Sequence, residues 1–93
     1  MAFGVFLCLL SHVKPMPLQA LQFIQSRDWD AAHRLVQNYS DPLSCQIHGY
    51  LHAIEGDLSN AGYWYRRAGM VLPDGSLDDE LKRLLATATD EAG

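Results

Sequence analysis

Between Gly49 and Pro73, small residues and helix breakers are spaced so that two helices must lie against each other at short range. Ala61, Tyr65 and Ala68 recur at helical spacing, which sets one aromatic ring between two methyl-sized side chains on a single face. A preceding helix carrying Gly49 can approach closely at such a face. Gly56-Asp57 supplies the tight turn between the two helices, and Pro73 stops the second. A chain built on this pattern folds as a helical hairpin, and the rest of the sequence has to pack on it.

The remaining segments read as helices too. Pro17 suits a first helical turn, and Leu18, Leu21, Gln22, Ile24 and Gln25 follow at helical spacing. Ser26-Arg27-Asp28 breaks that helix, and Asp28 is placed to cap the next, from about Trp29 to Tyr39. Ser40-Asp41-Pro42 opens a third helix running to about Glu55. A fourth runs from about Ser59 to Leu72, with Ala61, Trp64, Tyr65, Ala68, Val71 and Leu72 as its inner stripe. Ser76 caps a last helix from Leu77 to about Thr87, with acidic residues Asp78, Asp79 and Glu80 in the first turn, where the helix dipole favours them. No stretch alternates with period two. The expectation is an all-α fold of five helices: two stacked antiparallel hairpins and a closing C-terminal helix.

The two hairpins echo each other. Arg27-Asp28-Trp29-Asp30-Ala31-Ala32 aligns with Gly56-Asp57-Leu58-Ser59-Asn60-Ala61 at a shift of 29 residues. Taken with Gly49, Tyr65, Ala68 and Pro73, this spacing resembles the tetratricopeptide repeat (TPR), a helix–turn–helix unit that stacks into scaffolds for other proteins. The resemblance covers Pro42–Pro73 well and the preceding half loosely. Where such a repeat offers large apolar residues to its partner helix, this chain has Cys45, His48 and His52. The run from His48 to Gly69 also resembles a stretch in small uncharacterised bacterial and fungal proteins, which implies no activity.

The resemblance implies a peptide groove lined by Leu43, Gln46, Tyr50, Ala53 and Ile54. His48 and His52 stand one helical turn apart with Glu55 three residues beyond, so all three share one side of a helix. They are expected to act structurally, as a hydrogen-bonded polar cluster between helices. The alternative is a small-molecule or metal site, possibly catalytic, because histidines at i and i+4 can both reach one tetrahedral ion; His33 could join from the preceding helix. Tyr63, Arg66 and Arg67 form a candidate surface contact for an anion, though pairing of either arginine with Glu55 or Asp57 is the plainer expectation.

Net charge is −4, from 7 basic and 11 acidic residues, and neither Arg66-Arg67 nor Lys82-Arg83 makes a basic stripe, which argues against nucleic acid. Residues 2–10 are apolar but too short to cross a bilayer. Residues 1–15 therefore read as a leader, signal-like or an extension of the reading frame, ahead of one domain over 16–93. Cys8 and Cys45 stand far apart and belong to no CxxC or Cys/His zinc pattern; packed, reduced thiols in a reducing cytoplasm are expected, with a disulfide and secretion as the alternatives. No phosphate loop or nucleophile elbow is present, and an enzyme reading rests on the histidines alone. The function expected is a small interaction module that binds a protein or peptide or associates with itself as a homodimer, without cofactor or membrane.

Overall fold

The computed structural model describes residues 15–92. Among these residues the fold is all-α, with five helices and no strand: α1 Pro15–Gln25, α2 Trp29–Val36, α3 Pro42–Ile54, α4 Leu58–Arg67 and α5 Leu77–Ala92. The apolar run of residues 2–10 and Cys8 lie outside the described residues. No helix among those described is long and apolar enough to cross a membrane.

The turns explain the hairpins. At Gly56 (φ 82°) the chain enters the left-handed region; Gly56 N–H donates to Ala53 O and Asp57 N–H to His52 O, closing α3. Asp57 then caps α4, accepting from the Asn60 N–H. The same device joins α1 to α2: Arg27 N–H donates to Ile24 O, Asp28 N–H to Phe23 O, and the Asp28 carboxylate accepts from Ala31 N–H. Here the left-handed position is filled by Arg27, at φ 65°, the one non-glycine residue with positive φ among those described. The 29-residue repeat in the sequence is thus a repeat of one turn.

Two helices end earlier than their apolar spacing suggests. The fourth stops at Arg67 because Gly69 (φ 81°) closes it, with Gly69 N–H on Arg66 O and Met70 N–H on Tyr65 O. Val71, expected in the buried stripe, is consequently 80% exposed. The second ends at Val36 and leaves Tyr39 at the surface. The last helix, in contrast, continues past Thr87 to Ala92.

Helix α3 is the axis of the molecule and packs against all four others. Every residue from Leu43 to Leu51 is buried, although the stretch includes Ser44, Gln46 and His48. A helix surrounded on all sides must satisfy its polar groups internally. Ser44 Oγ donates to the Asp41 carboxylate at 2.7 Å, and Gln46 Oε1 accepts from Arg83 at 2.7 Å. Cys45 is a buried free thiol whose hydrogen points to Ser40 O, and burial pushes its pKa up.

Helix α5 lies across α1 and α3, and Leu84 and Ala88 enter the core beside Leu21, Leu43 and Ile47. A buried polar network fastens it there. Tyr65 donates to Glu80 at 2.6 Å; Arg83 holds both Glu80 oxygens, at 2.8 and 2.7 Å, and also Gln46. Burial works to raise the Glu80 pKa, but the hydrogen bonds from Arg83 and Tyr65 outweigh it and the net shift is downward. Glu80 is therefore turned inward, away from the exposed Asp78 and Asp79 beside it in the first turn.

Candidate functional site

The expected peptide groove is occupied by the chain itself. Leu43, Gln46 and Tyr50 are buried, with Gln46 held by Arg83 and the Tyr50 hydroxyl donating to Leu77 O at 2.9 Å. Both contacts come from α5, which lies over the face that would have been the floor. Only Ala53, half-buried, and Ile54, 42% exposed, reach the surface. At the second expected surface, Tyr63, Arg66 and Arg67 are exposed. Arg67 donates to the Tyr63 hydroxyl and lies 5.1 Å from the Trp64 ring, so its guanidinium is held by aromatics rather than by Glu55 or Asp57.

The histidines come together. His33 on α2 meets His48 and His52 on α3, and one ring nitrogen from each lies within 4.8 Å of the other two. The His33 and His48 Nε2 atoms are 3.1 Å apart. His52 Nδ1 is 3.1 Å from Glu55 Oε1, a contact that puts the proton on Nδ1 and leaves the Nε2 lone pair free. The expected side-by-side placement of His48, His52 and Glu55 thus holds, with His33 added from the neighbouring helix.

Two tryptophans wall the cluster. Trp29 stacks on His33 at 4.7 Å and 9°, and Trp64 stacks on His48 at 3.9 Å and 13°. Trp29 is itself pinned by a hydrogen bond from its indole N–H to Leu51 O at 2.8 Å. Trp64 belongs to the inner stripe expected of the fourth helix, and both tryptophans are half-buried. Trp29 stands four residues before His33, so the two rings share a helix face, a signal readable in the sequence; Trp64 arrives from α4, and only the fold places it.

Burial governs the charge state of the cluster. It holds His48 neutral, with the nearby His33 and His52 adding to the effect, and the pKa is pushed down to about 4. Burial, then His52, also lowers His33, while Glu55 and Asp30 act in the opposite sense. Neutral imidazole is the form that binds metal ions. Among the described residues, one buried side-chain polar atom has no partner: His48 Nδ1.

Three nitrogens on a tetrahedral zinc ion, each about 2.0–2.1 Å from it, sit about 3.3–3.4 Å from one another. The His33–His48 pair, at 3.1 Å, meets that spacing to within tenths of an ångström, and no pair is farther apart than 4.8 Å. No family model, curated protein or solved structure matches the chain.

Proposed function

We propose that this chain is a small helical metal-binding protein that holds a zinc-class divalent ion on His33, His48 and His52. The observation that carries the reading is the convergence of three imidazoles from two helices, within 4.8 Å of one another and behind two tryptophans. Imidazole ligands suit zinc, copper and nickel, and three of them leave the fourth position of a tetrahedral ion to water. Glu55 orients His52 as a supporting carboxylate does in such sites. The TPR-like hairpins serve as the frame that brings α2 and α3 into register.

Isothermal titration of chelator-treated protein with zinc, followed by the histidine ring signals in NMR, tests this. One ion per chain is expected. His33→Ala, His48→Ala and His52→Ala should each weaken it by more than the about 10–100-fold typical of losing a supporting group, and Glu55→Ala by about that amount. Absence of heat and of ring shifts, or equal binding in all three histidine variants, overturns the proposal.

A second reading, contact with a protein partner or a second copy of the chain, draws on exposed apolar side chains: Val71 at 80%, Leu58 at 59% and Ile54 at 42%. Sedimentation at micromolar concentration tests it, and a strict monomer removes the homodimer.

A further inference from the structure

A cleft of about 260 Å3 opens at the turn between α1 and α2, with no histidine in its lining. Its lining is Ile24, Trp29, Leu51 and Ile54, with Arg27 as the one charged group. Arg27 takes part in neither of the ion pairs among the described residues. Of the two carboxylates nearest in sequence, Asp28 is engaged in capping Ala31, and Asp30 forms no ion pair with Arg27.

The backbone at Arg27 is a second, independent observation. The equivalent position of the second hairpin is Gly56, which adopts positive φ without strain, whereas Arg27 holds φ 65° against the usual preference of a residue with a side chain. A strained position kept by a long cationic side chain, where a glycine serves the same turn 29 residues later, points to a use for the side chain. The guanidinium borders an apolar cleft, so the use is to hold the charged end of something whose other end is apolar.

We propose that this cleft binds a short aliphatic carboxylate, with the chain lying between Ile24, Trp29 and Ile54 and the carboxylate paired to Arg27. The cleft is small, and hexanoate, a six-carbon acid, represents the class. The planar two-oxygen head matches the donor fork of arginine. The site shares Trp29 with the histidine cluster, but its charged contact, Arg27, belongs to the cleft and no histidine lines it.

Hexanoate is the probe, with hexanol and hexylamine as controls of equal chain length, each titrated into the full chain and followed by 1H–15N NMR. For so small a ligand a Kd of about 0.1–10 mM is expected, with shifts at Ile24, the Trp29 indole and Ile54, and binding of the alcohol and amine at least tenfold weaker. Arg27→Gly separates binding from folding. Glycine relieves the left-handed strain, so this variant should melt higher than the parent while losing hexanoate tenfold or more; Arg27→Lys should retain part of the affinity. Equal binding of hexanoate and hexanol, unchanged affinity in Arg27→Gly, or no shifts at the cleft residues overturns the proposal.

Discussion

Gly49→Ala adds a single methyl group where α3 packs tightly on α4. A Cβ built there would lie 2.7 Å from Tyr65 Cδ2, 2.9 Å from Tyr65 Cε2 and 2.9 Å from Ala61 O. Neither neighbour can yield easily. The Ala61 oxygen belongs to the α4 backbone, and the Tyr65 ring is buried with its hydroxyl bonded to Glu80, which Arg83 grips in turn. Overpacking of this kind costs about 1–3 kcal/mol. Alanine recovers about 0.5–1 kcal/mol through its better helix propensity, leaving a net loss of about 1–2 kcal/mol. For a domain of this size each kcal/mol lowers Tm by about 4–8 °C, so a fall of about 5–15 °C is expected in thermal unfolding followed by circular dichroism. Gly62→Ala is the control: its added Cβ meets only the flexible end of Arg66, at 3.2 Å, and should leave Tm unchanged or slightly raised. A Gly49→Ala protein that melts at or above the parent, or a Gly62→Ala protein that falls equally far, would refute the close-approach argument.

Tyr65→Phe removes the donor that Glu80 accepts in a buried setting and should cost about 1.5–3 kcal/mol, the range for hydrogen bonds to charged groups; a urea midpoint equal to the parent's contradicts it. The pH dependence of the metal-free chain follows from His48, whose pKa drops from 6.5 in the unfolded chain to about 4 when folded. The unfolded state therefore takes up the proton first, so stability present above pH 6.5 declines as pH falls towards 4. His48→Gln should flatten the slope between pH 7 and pH 5, above the range where carboxylates dominate; identical slopes in the two proteins would refute the assignment. These join the zinc titration with its histidine variants and the Arg27→Gly measurement.

Much of the fold is legible in residues that act locally. Asp28, Asp41, Asp57 and Ser76 each precede a helix and each accept from the N–H three residues on, as their type and position suggest. Apolar spacing was less reliable near helix ends. It carried α4 through Val71 because nothing in hydrophobicity marks Gly69 as a left-handed stop. It carried α2 to Tyr39 for the same reason, since the helix ends where the turn into α3 begins. The groove was misjudged for a longer-range cause. The resemblance assigns the α3 face to a partner, but the position of α5 depends on Arg83 meeting Gln46 and on Glu80 meeting Tyr65, pairs 37 and 15 residues apart. At the histidines, local spacing placed His48, His52 and Glu55 together. The third imidazole and the second tryptophan came from other helices, where periodicity along one helix says nothing.

The two tryptophans of the chain are its only ones, and both stack on imidazoles of the same cluster. Native indole emission is thus a private channel to that cluster, with no third fluorophore of the kind elsewhere to dilute it. Protonated imidazole quenches a stacked indole, while zinc, a closed-shell ion that keeps the ring neutral, adds no redox or open-shell route for quenching. A pH titration read in emission intensity, with and without zinc, would follow the charge of His33 and His48 directly, with no label attached and no residue replaced.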